Sequence, residues 1–333
     1  MKAPLAILLA ILGAAAAIAC IPFLGASNVT LNFLVVALLV ALAGQGWNIL
    51  GGYGGQYSFG HAAFFGTGAY VTAILQVRYG VNAWLGFAAG VAAGALVGAV
   101  IGFLAFRSGL KGSYFALVTL AFAEVLRIVA SVTPITGAGV GTLIKLDMRP
   151  AAFQFQSRAV FFWIILALVF VSLLIAARLQ QTRFGAWLTA IRENEDSARA
   201  LGVDVFSVKL RTMILSAAIT ASAGCFYAQY FLFVDSTIAF GSWISVEALL
   251  APIVGGSGTV FGPLAGALVV RMLGEAAKVV AGDAPGIDLA IYGTVLVGVV
   301  AFAPRGIVGL ATSIYARLRA PPSGAVIGSG SRG

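Results

Sequence analysis

Apolar runs long enough to cross a bilayer alternate with short polar punctuation along most of this chain. A crossing helix needs about 20 apolar residues, and fewer where neighbours bury it. On that criterion the sequence predicts helices over roughly 4–25, 29–50, 61–79, 83–106, 113–133, 159–177, 212–233, 244–256, 260–274 and 286–303. Counting the short pair 244–256 and 260–274 as two pieces gives about ten transmembrane or re-entrant helices. The expectation is an all-α polytopic membrane protein with one transmembrane domain over 1–319 and a disordered tail over 320–333. A positive start and small residues before Cys20 also fit a lipoprotein signal, but the apolar run continues through Phe23 and further spans follow. The first segment therefore reads as a transmembrane helix.

The longest polar interval, 178–211, has its own pattern. Phe184, Trp187, Leu188 and Ile191 recur at i, i+3, i+4 and i+7, one face of a helix. In "NEDSARALG", Asn194 is placed to cap a second helix, Glu195 and Asp196 sit at its positive end, and Gly202 supplies a left-handed stop. A helix resting on lipid headgroups accounts for the first element. The second, short and capped at both ends, fits a partner's cleft better, because a rigid knob loses little freedom on docking.

Two glycine-rich breaks interrupt the apolar pattern. "GGYGGQYSFGH" (51–61) contributes Gly51, Gly52, Gly55, Gln56, Ser58, Gly60 and His61; "GGSGTVFGP" (255–263) contributes Gly255, Gly256, Gly258, Gly262 and Pro263. Broken helices at membrane depth leave backbone groups that only protein or a water-filled cavity satisfies. Paired breaks in the two halves of a transporter point to a substrate path. Close packing of helices is the competing reading, and it fits Gly66, Gly68 and the stripe Gly86, Gly90, Gly94, Gly98 and Gly102 better than it fits the breaks.

Composition narrows the class. The chain is 61% hydrophobic and only 9% charged, against roughly 25% charged in a soluble domain. A net charge of +9 would suggest nucleic acid in a soluble protein; here it reads as Lys and Arg kept on the cytoplasmic side. With the amino terminus inside, Lys2, Arg107, Lys111, the basic residues from Arg178 to Arg211 and the final arginines are cytoplasmic. Both termini are then inside, 178–211 is a cytoplasmic loop and 134–158 an external one. Cys20 and Cys225 form no disulfide or metal pattern.

Ionisable groups within the apolar runs are few. Glu124 has Arg127 three residues on, so a local ion pair is preferred to substrate contact. Glu247 has no basic residue within a helical turn and is expected to face a polar cavity or an interface. Arg271, Glu275 and Lys278 are spaced for helix-surface pairs. His61, with no Cys, Asp or Glu nearby, is a poor metal site and is expected to cap a helix or bond exposed backbone. "GLKGS" (109–113) lacks the order of a phosphate-cradling loop, and no nucleophile elbow or metal spacing occurs. The chain therefore has no ATPase site or cofactor of its own. Energy for transport must come from another chain or, as the alternative, from an ion gradient carried by Glu124.

"GQYSFGHAAFFGTGAY" (55–70), "AIRENEDSARALGVDVFSVKL" (190–210), "SVEALLAPIVGGSGTVFGPLAGAL" (245–268) and "APRGIVGL" (303–310) occur in order along the chain. Together they resemble the LivM-type permease subunits of bacterial branched-chain amino-acid ABC transporters. The resemblance implies a place in the bacterial cytoplasmic membrane and a heterodimer with a second homologous permease. It also implies two cytoplasmic ATPases that use ATP and Mg, and an external solute-binding protein that holds most of the selectivity. Leucine, isoleucine and valine are the implied solutes; urea, short amides or aromatic acids are carried on the same scaffold. Asp196-Ser197-Ala198 followed by Gly202 is similar to the Glu-Ala-Ala-x-x-x-Gly of ABC coupling loops. That likeness assigns ATPase contact to Arg192, Glu193, Asn194, Glu195, Asp196, Ala198, Leu201 and Gly202. Asp and Ser stand where the pattern has Glu and Ala, and "TGAGVG" (136–141) replaces an expected Thr-Gly-Gly-x-x-Gly in the external loop.

Overall fold

The computed structural model of the chain describes residues 2–281 together with positions 290, 291, 293, 294, 297, 298, 306, 307 and 309. Apart from those positions, the expected span 286–303, the motif at 303–310 and the tail 320–333 lie outside the described residues.

Almost every apolar run forms a helix, as it must where no water is available to bond the backbone. In chain order the helices are α1 (Lys2–Ala19), α2 (Asn28–Trp47), α3 (His61–Tyr79), α4 (Ala83–Arg107), α5 (Gly112–Val132) and α6 (Arg158–Gln181), then α7 (Arg183–Glu193), α8 (Glu195–Ala200), α9 (Val205–Phe231), α10 (Ser236–Ala239), α11 (Ser242–Gly255) and α12 (Gly262–Ala281). Polar side chains mark several starts: Ser27 Oγ accepts from Thr30 N–H at 3.1 Å ahead of α2, and Asn82 Oδ1 from Trp84 N–H at 2.9 Å ahead of α4. Among the described residues, seven segments are long and apolar enough to cross a membrane: Ile7–Leu24, Asn28–Tyr53, Ala83–Arg107, Gly112–Val132, Arg158–Gln181, Val205–Phe231 and Ser236–Gly255.

Two boundaries that bear on the site differ from the sequence expectation. The second helix does not stop at 50 but widens into a π-helical turn, Asn48–Tyr53. The seventh begins at Val205 rather than 212, because Asp204 Oδ1 caps it by accepting from Ser207 N–H at 3.1 Å. The pieces 244–256 and 260–274 are α11 and α12, antiparallel halves of a hairpin packed on α2.

The core is the contact of α3, α4 and α9. The four-residue glycine stripe of α4 makes it possible. A Cβ at Gly90 would stand 2.5 Å from Thr72 Oγ1 and 2.6 Å from Cys225 Sγ, and one at Gly94 or Gly98 would collide with Ala221 or Ala217. These glycines serve close packing, as the spacing indicates. At one end of the bundle the loop 178–211 folds against the start of α9. At the other end β1 (Thr142–Leu143) pairs antiparallel with β2 (Phe233–Val234), tying the loop 134–158 to the end of α9.

Candidate functional site

The capped element of 178–211 is α8, and its caps are those the sequence spells out. Asn194 Oδ1 accepts from Ser197 N–H at 2.9 Å, and Gly202 takes φ +84° while its N–H bonds Arg199 O at 3.0 Å. Open space surrounds Gly202, and Leu201 is 84% exposed. Ala198 faces inward. Glu195 also turns inward: Lys209 Nζ lies 2.6 Å from it, Arg199 Nη2 3.0 Å and Lys111 Nζ 3.5 Å. Burial acts to raise its pKa, but Lys209 and Lys111 outweigh that and hold the carboxyl below the ordinary glutamate value. Glu195 thus fastens α8 to the body, while Asp196 and Leu201 face outward. On α7, Leu188 and Ile191 are buried and Phe184 half-buried, as expected. Trp187 is not part of that face; it stands 41% exposed, because the body covers only a narrow stripe of this helix.

In the last turn of α7, just ahead of α8, Arg192 turns back into the bundle. Its Nη1 donates to Gly52 O at 3.0 Å, and its stem fills the space a Cβ at Gly55 would need, 2.7 Å from Arg192 Cγ. A Cβ at Gly258 would stand 3.3 Å from the same Nη1. The two glycine breaks, some 200 residues apart in sequence, therefore meet under one side chain of the loop. Glu193 holds the outer edge of the guanidinium at 3.0 Å.

Two residues that sequence reasoning missed hold the second break in place. Asn48, in the π-helical turn, accepts from Gly258 N–H at 2.8 Å and donates to Thr259 O at 2.9 Å. Gln45 donates to Val260 O at 2.9 Å. Both amides are fully buried, and together they satisfy backbone that a broken helix leaves without partners. The available signal was two amides in an otherwise apolar run just ahead of Gly51. Gly256 and Gly258 adopt φ +129° and +74°, conformations that side-chain-bearing residues rarely tolerate. Gly262 N–H donates to Thr259 Oγ1 at 3.0 Å and Pro263 follows in the first turn of α12. Gly306 lies directly against the backbone of Gly255 and Gly256.

The first break is built differently. His61 Nε2 lies 3.0 Å from Ser216 Oγ, whose hydroxyl donates to Gly46 O at 2.6 Å. The start of α3 is thus level with Gly46, whereas the preceding helix runs on to Tyr53, about 10 Å further at ~1.5 Å per residue. Segment 54–60 consequently doubles back into the bundle. Trp47 Nε1 donates to Ser58 O at 2.8 Å, Phe59 N–H to Thr119 Oγ1 at 3.2 Å and Gly60 N–H to Ser58 Oγ at 3.1 Å. A Cβ at Gly51 would press on the Trp47 ring, 2.6 Å away. The Gln56 side chain donates to its neighbour Gly54 O at 3.1 Å, and its backbone N–H to Leu50 O at 3.0 Å.

His61 does not cap a helix. Gly60 occupies the cap position, and the buried imidazole instead links α3 to α9. Because the Ser216 proton goes to Gly46, His61 Nε2 must carry hydrogen and donate, leaving Nδ1 without a hydrogen-bond partner.

The acids divide. Glu124 and Arg127 form the expected pair, with Nε–Oε2 at 2.9 Å and Nη2–Oε1 at 2.6 Å, on the open side of α5. Glu247 borders a small, mostly apolar cavity with Leu39, Phe65 and Trp243, and Arg271 reaches it across the hairpin at 3.3 Å, both side chains being largely buried. Arg271 accordingly does more than pair along its own helix with Glu275, 3.7 Å away. The side chain of Lys278 lies outside the described residues.

The family model for the permease component of branched-chain amino acid transport systems matches residues 29–300. The high-affinity branched-chain amino acid transport system permease protein LivM of Escherichia coli K12 is 29% identical over 273 residues, covering 75% of this chain and 63% of the relative. The probable LivM permease protein of Methanocaldococcus jannaschii is 31% identical over 121 residues, 36% of this chain and 35% of the relative. The autoinducer 2 import system permease protein LsrC of Salmonella typhi is 30% identical over 171 residues, 48% of either chain. The chain thus spans less than two thirds of the length of the LivM relatives it matches. No solved structure matches it. With α3 to α12, both glycine breaks and the capped loop falling in the matched stretch, the chain belongs to the branched-chain amino acid transport system permease family.

Proposed function

We propose that this chain is a membrane-spanning subunit of an ATP-driven importer of branched-chain amino acids. It pairs with a second permease and is worked by two cytoplasmic ATPases through α8. The supporting observation is Arg192, on α7 just ahead of the capped α8, which bonds Gly52 O in the first glycine break and lies beside Gly258 of the second. A push on α8 has a direct route to the backbone of 52–55 and 258 without crossing the apolar core. In this reading the chain is one transmembrane domain in the bacterial inner membrane, with both termini and the loop 178–211 cytoplasmic. It hydrolyses nothing itself, binds no cofactor, and depends on ATP and Mg held by its partners.

An external solute-binding protein docks on 134–158. Supporting that role, the loop is a fixed platform: Gln154 Oε1 accepts from Asp147 N–H at 2.6 Å, and its Nε2 donates to Lys145 O at 2.9 Å. It borders a cavity of about 580 Å³ walled by Gln76, Asn82, Lys145, Asp147 and Arg149. Because an autoinducer 2 permease shares the sequence pattern, exchanging the binding protein for one of different specificity is the test of solute identity.

The test of the functional reading is uptake by the assembled transporter with Asp196→Arg or Gly202→Val. ATP hydrolysis is expected to persist while uptake fails. Normal uptake in both variants, or accumulation driven by an ion gradient through the isolated chain, contradicts it.

A further inference from the structure

The faces that α4 and α5 leave uncovered differ in one respect. Along α4 the exposed side chains Trp84, Leu85, Leu96, Val100, Phe103 and Leu104 are apolar, and charge returns only at Arg107, the last residue. On α5 the covered stripe is Phe115, Ala116, Thr119, Ala123 and Ala130. The opposite side carries Leu117, Leu120 and Ile128 and, among them, Glu124 and Arg127, whose side chains are 52% and 31% exposed. Glu124 stands about 18 Å along a helix of about 31 Å, at ~1.5 Å per residue. That is the middle of a hydrocarbon layer roughly 30 Å thick.

Charged side chains at that depth face a protein interior or a water-filled cavity. Among the described residues, the pair also joins no second element. Its members sit three residues apart on one helix, unlike Glu247 and Arg271, which bind α11 to α12. A pair confined to one helix contributes far less than the placing of two charges in hydrocarbon costs, so a structural role does not account for it.

We propose that Glu124 and Arg127 form a solute-binding pair on the translocation path, opening their mutual bond to receive a zwitterionic α-amino acid. The planar guanidinium of Arg127 takes the carboxylate as a fork, and Glu124 accepts from the ammonium. Leu117, Leu120 and Ile128 offer an apolar wall to an aliphatic side chain. Site and solute are each neutral overall, so no uncompensated charge is created in the membrane at any stage. The pair reads the common amino-acid backbone and leaves side-chain choice elsewhere. The inference rests on the functional reading above, that this chain lines the path of an amino-acid importer.

The test uses the complete transporter in proteoliposomes: both permeases, the ATPases and the binding protein. Glu124→Gln with Arg127→Gln keeps a hydrogen-bonded pair while removing both charges. Leucine uptake is expected to fall about tenfold or more, the loss of one or two charge-assisted hydrogen bonds, with co-purification of the partner subunits unchanged. Independently, Leu120→Cys in a Cys20→Ser background is expected to react with a water-soluble thiol reagent. Saturating leucine should protect it, and protection should vanish when the pair is neutralised. Unchanged uptake in the double variant, or a Leu120→Cys that leucine does not protect, overturns the proposal. A native assembly that carries another solute but no amino acid sinks the functional reading itself, and the pair's role with it.

Discussion

The two glycine breaks open with the same Gly-Gly-x-Gly and are held in opposite ways. The first is anchored from all sides by its own surroundings: Trp47 to Ser58, Thr119 to Phe59, and His61 to Ser216. The second is bonded within itself through Thr259, whose hydroxyl donates to Gly256 O and accepts from Gly262 N–H, and otherwise hangs from the side chains of Asn48 and Gln45, with Arg192 beside it. One motif has yielded a fixed element and a suspended one. The difference predicts that 256–260 yields more readily than 54–60.

That contrast is most severely broken at the point where both breaks touch. Gly52→Val would drive a Cβ into Asn48 and the backbone of Gly258, combining overpacking of about 1–3 kcal/mol with lost hydrogen bonds. The expected result is loss of folded protein, read by thermal unfolding in detergent. Asn48→Leu is the sharper probe. It strips partners from Gly258 N–H and Thr259 O at about 1–3 kcal/mol each. Hydrogen exchange should rise at 256–260 and stay unchanged at 55–60; an equal rise at both would erase the distinction.

A milder, condition-dependent effect is expected at Glu195, which docks α8. Its folded pKa lies below the ordinary value, so its contribution is present above the unfolded pKa, about 4.3, and is lost as pH falls through the folded value. Protease sensitivity of 194–202 should therefore increase in acid, and Glu195→Gln should remove that dependence. The smallest effect is expected at Gln56→Ala, within about 0.5 kcal/mol of native stability, since its side chain bonds only the adjacent turn.

Much of this was legible in the sequence wherever the contact is local. Span positions follow from apolar runs, the α4 stripe from its four-residue period, and both caps of α8 from Asn194 and Gly202. What was not legible is non-local. Glu247 and Arg271 are 24 residues apart, and Arg192 and Gly52 are 140; helical spacing reports only neighbours within a few turns. The π-helical turn is equally hidden, because a single extra residue in one turn leaves the hydrophobic period almost unchanged. Trp187 was misplaced for a related reason: periodicity identifies a face but not how much of it the body covers.

The central claim, that α8 and the suspended break form one mechanical unit through Arg192, is tested most directly by hydrogen exchange on the assembled transporter with and without Mg-ATP. In the native protein, nucleotide is expected to change exchange at 194–202 and at 256–260 together. In Arg192→Ala the change at 194–202 should remain while that at 256–260 disappears. If 256–260 responds to nucleotide equally well without Arg192, the proposed linkage is wrong.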